Sequence, residues 1–410
     1  MTTCTKPESP GPERDEALRS AAFSPLEGVR VVELSHLIFG PACGMFLSFL
    51  GAEVIKVEPV GGDKTRHLTG MGASFFALFN RGKKSVVLDF GRTEGREALD
   101  RLLSSADILV ENFRDGTLAR MGLDLAQVRT RFPGLITVSC KGFLDGPYAD
   151  RPALDETVQM MTGLAHMTGP TGMPLRIGSS ANDIMGGLAG AYAAIAALRE
   201  REATGVGREI RAGLFENSLL LVAQHMVQFA LTGLEPAPMP ERAFTWPVYD
   251  IFVTRDDRKL FVGAVTSGHW VALCTLLGLE ELLENPALED RMDQISARDW
   301  TLPKFEAAVA AWRSPDLIHE LEKRMIPFAP VTTPAEMFSD PQAESGLHES
   351  ALADGTTFRA PGFPVQVDSA RIVPCLDVPG LGNDSVDVLS GLGLDRGFVE
   401  HATGMEGGES

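Results

Sequence analysis

The sequence is poor in cysteine, tyrosine and positive charge. Its 410 residues include 5 Cys and 3 Tyr, and 37 Lys and Arg stand against 55 Asp and Glu, which gives a formal net charge of −18. The cysteines are scattered and form no CxxC pair, which argues against a disulfide framework or a cysteine zinc site and is typical of a reduced, cytoplasmic protein. The acidic balance argues against nucleic acid or an acidic membrane as the main partner.

Several cofactor and catalytic motifs are also missing. The loop after the first strand pattern, SHLIFGP, has one glycine and a proline instead of GxGxxG, so nicotinamide or flavin binding there is not expected. No GxSxG motif is present, the 8 His are scattered, and no metal-ligand spacing occurs. The sequence therefore predicts no metal and no tightly bound cofactor.

Long hydrophobic runs are absent as well. The longest run of small apolar residues, Gly186–Leu198, is too short to span a bilayer. Residues 1–24 lack an apolar stretch, which favours a disordered tail over an export signal. We expect a soluble cytoplasmic protein that does not bind membranes.

Short apolar runs alternate with helical patterns through the first half of the chain. Strand patterns cover Val29–Leu34, Glu53–Glu58, Ser85–Asp89, Asp107–Val110 and Leu135–Cys140, and helical patterns cover Gly40–Leu50, Thr93–Ser104, Leu154–His166 and Asp183–Glu202. Strands separated by helices indicate βαβ units and a parallel sheet that binds ligands at the carboxyl ends of its strands. The fold class predicted is α/β, with a Rossmann-like large domain.

A proline-rich stretch after residue 232, TGLEPAPMPERAFTWP, is typical of a linker. Strand patterns at Tyr249–Thr254 and Lys259–Val265 then flank a polar turn and predict a β-hairpin, with helices near His269–Leu276, Pro303–Trp312 and Pro315–Lys323. We expect a large domain over 25–235, a smaller α+β domain over 242–335, and a C-terminal segment over 336–410 that returns to the large domain.

Basic residues recur near the predicted strand ends, at Arg66, Arg81, Lys83, Lys84, Arg120 and Lys141. In an acidic protein such cations suit a ligand with several phosphates, although each alone is more typical of a solvated rim. Lys141 is the best single candidate because it directly follows an apolar strand, LITVSC.

Asp183 is the most informative position for chemistry. It follows the small-residue loop GSSAN and opens an apolar helix, so the helix dipole would keep its carboxylate ionised and stabilise a developing oxyanion. Gly186 and Gly187 leave room for a substrate to approach. The alternative is that Asp183 only caps the helix. Asp155 by itself is also typical of a cap, and His36 of a packed imidazole.

Long segments match one known family across most of the chain. They include LEGVRVVELSHLIFGPACGMFLSFLGAEVIKVEP, FNRGKKSVVLD, ADILVENFRDGTLARMGL, SCKGFLDGPY and the tail segment PGLGNDSVDVLSGLGL. The segment from ALDETVQMM to AIAALRERE continues the match. The sequence resembles the class III (CaiB/BaiF) CoA-transferases, the family of formyl-CoA transferase and carnitine CoA-transferase that also includes α-methylacyl-CoA racemase.

The resemblance implies an interlocked homodimer in which Asp183 is the nucleophile. In such enzymes the carboxylate forms an anhydride with the donor acyl group and then a thioester with coenzyme A, which returns to the acceptor acid. Coenzyme A and acyl-CoA are substrates, and neither ATP nor a metal is implied. The residues implied to contact coenzyme A are His36, Leu37, Asn112, Arg120, Met121 and Lys141. Those implied near the acyl group are Ile38 and Asp155.

Departures from the family pattern bear on the substrate. Ile38 stands where formyl-CoA transferase has a glutamine, Pro59 stands where it has an arginine near the adenine, and the second domain has no GGGG loop. These differences argue against oxalate or formate as the acid. Trp246 and Tyr249 are candidates for an apolar wall, and Arg242 is a candidate for binding a second carboxylate, which makes succinyl-CoA or another dicarboxylyl-CoA a candidate donor.

Two alternatives remain open. A racemase of the same family needs an acid and a base on opposite faces of the α-carbon, but Leu154 replaces the histidine that precedes the aspartate at position 155, and His166 lies about three turns further on. A catalytically silent CoA-binding subunit is the other alternative, and the presence of Asp183 and Lys141 argues against it.

Overall fold

The computed structural model describes residues 23–241, 246–372 and 376–404. The chain divides into two compact units. Among the described residues, the first contains those within 23–165, 176–231 and 345–404, and the second contains those within 166–175 and 232–344. Nearly all of the tail predicted at 1–24 lies outside the described residues, as does Arg242.

Thirteen strands are present in the described residues: β1 Arg30–Leu34, β2 Glu53–Glu58, β3 Lys84–Val87, β4 Ile108–Glu111, β5 Ile136–Lys141, β6 Glu209–Gly213, β7 Val248–Val253, β8 Lys259–Ala264, β9 Phe328–Pro330, β10 Leu347–Ala351, β11 Thr357–Pro361, β12 Gln366–Val367 and β13 Ala370–Arg371. Short 3-10 helices cover Lys64–His67, Gly70–Gly72, Met239–Glu241, Pro286–Leu288 and Glu336–Ser339.

The α-helices of the first half are α1 Phe39–Phe49, α2 Phe75–Phe79, α3 Thr93–Ser104, α4 Thr117–Arg120, α5 Leu125–Arg131, α6 Asp155–Met161, α7 Leu164–Thr168, α8 Ala181–Thr204 and α9 Leu214–Thr232. Those that follow are α10 Ser267–Leu277, α11 Glu280–Leu283, α12 Arg291–Ser296, α13 Arg298–Val309, α14 Ser314–Lys323, α15 Pro341–Glu344, α16 Ser385–Gly391 and α17 Arg396–Thr403.

Six parallel strands form the main sheet of the first unit, in the order β3-β2-β1-β4-β5-β6. The order reverses between β1 and β4, so the loops that leave these two strands open a crevice at the carboxyl edge. The five predicted strands of this sheet are confirmed within one or two residues. The sixth strand, β6, was not predicted, because its sequence EIRAG carries Glu209 and Arg211 and lacks a continuous apolar pattern.

Alternation along the strands builds a core on both faces of this sheet. Val31 packs in a cluster with α1 and α8, whereas Val32 packs on the opposite face with α3 and α17. Both side chains are fully buried. Helices on both faces explain why the strands read as short continuous apolar runs.

Helix α8 lies against α1 with almost no space between them. A Cβ atom at Gly186 would lie 2.5 Å from the Phe39 ring, and one at Gly187 would lie 2.7 Å from Ala42 Cβ. The two glycines therefore permit helix packing, which corrects the expectation that they clear a path for substrate. By length and composition α8 is the one helix in the described ranges that could cross a membrane, and 39% of its apolar window is buried inside the protein.

The predicted helix over Leu154–His166 is broken into α6 and α7. Gly163, between them, has φ +84°, a left-handed conformation that ends the first helix. In the second unit, β7 and β8 pair antiparallel, which confirms the hairpin, and β9 adds a third strand. Apolar side chains of α10, α13 and α14 cover this sheet around Phe305, which is fully buried.

Candidate active site

The loop between β1 and α1 carries three of the predicted site residues, His36, Leu37 and Ile38. The side chain of Asn112, which follows β4, holds the backbone of His36 from both sides, because its Oδ1 accepts from His36 N at 3.0 Å and its Nδ2 donates to His36 O at 2.8 Å. Leu37 has φ +60° and donates its N–H to Thr65 Oγ1 at 3.1 Å. Asn112 therefore joins the loops that follow β1 and β4, the two strands between which the strand order reverses.

His36 and Leu37 are partly accessible, whereas Ile38 is only 3% exposed and packs in the core cluster around α1. The His36 ring lies 5.3 Å from the ring of Phe113, centroid to centroid. Burial, partly offset by the charge of Asp63, lowers the pKa of His36, so its imidazole is neutral near pH 7.

Beneath this loop lies a set of buried charges that we call the β1-loop network: Glu33, Lys56, Asp63 and Lys83. Lys83 Nζ donates to Glu33 Oε2 at 2.7 Å and to Pro41 O at 2.9 Å, which ties β1 to the first turn of α1. Lys56 Nζ donates to Ser35 O at 2.8 Å and pairs with Asp63 Oδ2 at 3.0 Å.

Two acids and two bases in direct contact balance the charge of the β1-loop network, and its side chains are between 0% and 6% exposed. Gly44 of α1 makes this packing possible, since a Cβ there would lie 1.8 Å from Glu33 Oε2. The β1-loop network thus holds both ends of the loop that presents His36 and Leu37.

These contacts correct the expectation of phosphate-binding cations at Lys83 and Lys84. Lys83 is fully buried and engaged in the β1-loop network, while Lys84 begins β3 and pairs with Glu53 at the amino end of β2, the opposite edge of the sheet. Arg66 is paired with Glu58 at 2.6 Å, and Arg81 is buried with its guanidinium bonded to Pro361 O at 2.7 Å.

The other predicted coenzyme A contacts lie after β4 and β5. Lys141 ends β5, and its ammonium group pairs with Glu111 at 2.8 Å and Asp115 at 2.9 Å. Arg120 and Met121 lie at the end of α4, where the Arg120 guanidinium is exposed and donates to Thr117 Oγ1 at 3.0 Å. Arg120 therefore offers an accessible cation at this edge, whereas Lys141 is already engaged by two carboxylates.

Asp183 is the third residue of α8 rather than its cap. The carboxylate that caps α8 belongs to Asp155, whose Oδ2 accepts from Asn182 N at 2.9 Å and from Asp183 N at 3.2 Å. Asp155 thus caps a helix 27 residues away, a pairing that no local pattern announces. Because another residue fills the capping role, the cap-only interpretation of Asp183 is wrong.

Sequence reasoning missed two residues that frame Asp155: Gln159 and Arg176. Gln159 is fully buried; its Nε2 donates to Asp155 Oδ1 and its Oε1 accepts from Ile177 N at 2.8 Å. Arg176 lies 3.9 Å from Asp155 Oδ1 and donates to Ser179 O at 3.2 Å. The only signal for this contact in the sequence was the spacing of Asp155 and Gln159, which places them one helical turn apart. That spacing does not indicate a site until the fold brings the loop before α8 against both side chains.

Burial raises the pKa of Asp183 to about 7, and the nearby Asp155 carboxylate adds to the increase, against the opposing charge of Arg176. The expectation that the helix N-terminus keeps this carboxylate fully ionised is therefore wrong in sign. Within the described part of the chain, its oxygens accept no hydrogen bond. A desolvated carboxylate that no donor holds is a stronger nucleophile than one in water.

The structure thus gathers loops from β1, β4 and β5 at one edge of the sheet. Contact of α8 with the first turn of α1, at Gly186 and Phe39, brings the residues around Asp183 to the same edge. An accessible cation, a rigid backbone loop and a desolvated carboxylate can together hold an anionic ligand and attack an acyl group.

Comparison with known proteins gives a consistent family. The family described as CoA-transferase family III matches residues 26–385. Succinate–glutarate CoA-transferase of Agrobacterium fabrum is 30% identical over 90% of this chain and 96% of its own length. Succinyl-CoA:mesaconate CoA-transferase of Haloarcula marismortui is 29% identical over 91% and 97%. A crystal structure of a CaiB/BaiF family protein from Brucella suis superposes with a TM-score of 0.82 at 31% identity and covers 90% of this chain and 99% of that one.

Proposed function

The chain belongs to CoA-transferase family III and moves coenzyme A between an acyl-CoA and a carboxylic acid, and from this premise we propose that Asp183 carries the acyl group. The observation that supports this role is the desolvated carboxylate in the first turn of α8, which neither caps the helix nor accepts a hydrogen bond from a described residue.

In the proposed reaction the Asp183 carboxylate attacks the carbonyl carbon of the donor thioester, and the carbon–sulfur bond breaks to give an aspartyl anhydride and coenzyme A thiolate. The thiolate then attacks the aspartyl carbonyl, which releases the donor acid and leaves an enzyme thioester. The acceptor carboxylate attacks that thioester, which forms a second aspartyl anhydride and releases the coenzyme A thiolate. The thiolate then attacks the acceptor carbonyl, which gives the new acyl-CoA and frees the Asp183 carboxylate. Each step exchanges one activated carbonyl for another, so no external energy source is needed.

We propose that coenzyme A binds across a Rossmann-like sheet at the crevice between β1 and β4. The backbone of His36 and Leu37 and the side chain of Asn112 form the wall of this crevice, and the exposed Arg120, beside Met121, meets a phosphate. Lys141 supports the site by holding Glu111 and Asp115, and Ile38 supports it from the core.

Asp155 has a supporting role in the proposed site. Its carboxylate is occupied by backbone N–H groups and by Gln159, so we propose that it orients α8 and raises the pKa of Asp183 instead of binding the acid. The acid bound is a dicarboxylate in this proposal, in keeping with the succinate, glutarate and mesaconate named for similar enzymes. Arg242, the candidate for binding its second carboxylate, lies outside the described residues.

Assembly as an interlocked homodimer is also proposed. Apolar side chains on α8 and α9 support it, because Tyr192 is 75% exposed, Leu220 67% and Leu231 81%. Exposed apolar surface of this extent is typical of a subunit interface. We further propose a large domain over 25–235, a small domain over 242–335 and a returning segment over 336–410, in a cytoplasmic enzyme.

The residue before Asp155 argues against the racemase alternative. Leu154 is 64% exposed, and its side chain cannot transfer a proton. We therefore propose a transferase and not a racemase.

The decisive experiment tests Asp183 directly. Incubation with succinyl-CoA and then hydroxylamine should convert Asp183 to its hydroxamate, because an anhydride or thioester is cleaved and a free carboxylate is inert. Peptide mass spectrometry locates the change. Asp183→Asn should fold normally and lose transfer activity by roughly three or more orders of magnitude.

Asp387→Asn is the matched control, since Asp387 is likewise the third residue of a helix, α16, but its side chain is exposed and is not part of the proposed site. It should keep both the labelling and the activity. Turnover by Asp183→Asn, or turnover by the wild type without a label at position 183, would show that the mechanism is wrong.

A further inference from the structure

Asn182, the neighbour of Asp183, is a buried amide without a role in the reaction as described so far. Its side chain is 0% exposed, and among the residues that the structure describes neither Oδ1 nor Nδ2 has a hydrogen-bond partner. Most buried polar side chains in proteins are hydrogen-bonded, because an unpaired one costs the full desolvation of its polar atoms. An unpaired amide of this kind points to a ligand.

The direction of the Asn182 side chain follows from helix geometry. Asn182 lies four residues before Gly186, so the two share the buried face of α8, and Gly186 touches the Phe39 ring in the first turn of α1. Side chains on a helix tilt toward its N-terminus. The amide is therefore directed past the start of α1, toward the carboxyl edge of the sheet and the loop that contains Ile38.

A buried amide next to a carboxylate nucleophile matches a specific need of acyl transfer. When a carboxylate attacks a thioester, the carbonyl oxygen gains a negative charge, and a fixed donor within a water-excluded site stabilises that charge strongly. The N–H groups at the start of α8 cannot fill this role at positions 182 and 183, because both donate to Asp155.

We propose that Asn182 is a catalytic residue whose Nδ2–H donates to the acyl carbonyl oxygen as Asp183 attacks. A bond forms between an Asp183 oxygen and the carbonyl carbon, and the carbonyl electron pair moves onto the oxygen that Asn182 holds. This pair returns as the carbon–sulfur bond breaks and coenzyme A leaves as the thiolate. No proton is transferred, and Asn182 is unchanged. The pantetheine arm of coenzyme A carries amide N–H groups, which are suitable donors to Asn182 Oδ1.

The proposal rests on the proposed function of Asp183, and it predicts an unusual pair of effects. In Asn182→Leu, which keeps the branching of the side chain and replaces both polar atoms with bulkier methyl groups, kcat should fall roughly 10²–10³-fold. The Tm should stay the same or rise, because the variant no longer buries an unpaired amide. Asn182→Ala gives a second test that adds no bulk to the site.

Gln294 offers the matched control, since it is a buried amide of the second compact unit that is already satisfied: its Nε2 donates to Leu288 O at 3.1 Å. Gln294→Met should lower the Tm and leave kcat within about threefold of the wild type. A structural role for Asn182 would give that same pattern, with a falling Tm and a kept kcat, and would overturn the proposal.

Trapping with succinyl-CoA and hydroxylamine separates the two levels of the hypothesis. If Asn182→Leu forms the Asp183 hydroxamate at the wild-type rate in a single turnover, the role of Asn182 is wrong and that of Asp183 stands. If the wild type forms no hydroxamate while it turns over, the proposed function itself fails. A slow label in Asn182→Leu with an unchanged Tm supports both.

Discussion

Two groups of polar side chains are buried near the same edge of the parallel sheet, and they differ in how they are satisfied. In the β1-loop network, two ammonium groups meet two carboxylates and nearby carbonyl groups at hydrogen-bonding distance. At the start of α8, the buried amide of Asn182 has no hydrogen-bond partner among the described residues, and burial raises the pKa of the neighbouring, half-buried Asp183 carboxylate to about 7. The comparison teaches that burial alone does not mark a candidate reactive group, and that the start of α8 differs from the β1-loop network in having a buried amide with both polar atoms unpaired.

The largest effect on stability should come from a substitution that disrupts the β1-loop network. Lys83→Met removes the cation nearest to Glu33 and should cost about 3–5 kcal/mol of unfolding free energy, because it leaves a buried charge without its main partner. Chemical denaturation measures this change. The adjacent Lys84, 46% exposed and paired on the surface, is the matched control, and Lys84→Met should change stability by about 1 kcal/mol or less. Equal effects at the two lysines would contradict the contrast.

The next effect concerns affinity for coenzyme A. Arg120→Ala should weaken binding by roughly 1–3 kcal/mol without a change in Tm, because its exposed guanidinium supports no buried charge. Lys141→Ala should lower both affinity and Tm, because Glu111 would lose its ammonium partner. Isothermal titration and thermal melts distinguish the two. Arg129→Ala, a change to an arginine paired with Glu209 on the surface, should leave affinity intact.

The smallest effect is a shift in pH dependence. Because the proposed mechanism uses Asp183 as a carboxylate and the pKa of Asp183 is about 7, kcat/KM should rise with pH and level off above that value. Asp155→Asn removes a negative neighbour and should move the midpoint down, and Arg176→Gln removes a positive one and should move it up, each by roughly one pH unit or less. Shifts in the same direction would contradict the assignment.

The same pKa fixes the sign of a stability effect. A carboxyl group whose pKa is raised on folding holds its proton more tightly in the folded state, so stability falls as pH rises from about 4 to about 7. Asp183→Asn should therefore have a higher Tm than the wild type at pH 8, and the difference should shrink toward pH 4. A higher Tm at pH 8 would show that Asp183→Asn is folded, so that its loss of activity has another cause than unfolding.

The sequence predicted the sheet well and the site only in part. Apolar runs such as Glu53–Glu58 identified strands because a parallel sheet covered on both faces leaves a continuous pattern. Asp183 could be singled out by its place before an apolar helix. The partners of Lys83 and Asp155 could not be identified from the sequence, because they lie far away along the chain. Glu33 is 50 residues from Lys83, and Asn182 is 27 residues from Asp155. Such pairings depend on the tertiary fold, and no local propensity encodes them.

The contact between Gly187 and α1 fixes where the carboxylate proposed as the nucleophile, Asp183, can be. A methyl group there would meet Cys43 N at 2.8 Å, so the two backbones themselves set the separation of the helices. Since neither backbone depends on side-chain identity, the helix that carries Asp183 keeps its position when residues elsewhere change. Substitutions in the surrounding loops can then change the range of acids that is accepted without moving α8. The same contact leaves little tolerance for any residue but glycine where the two helices meet.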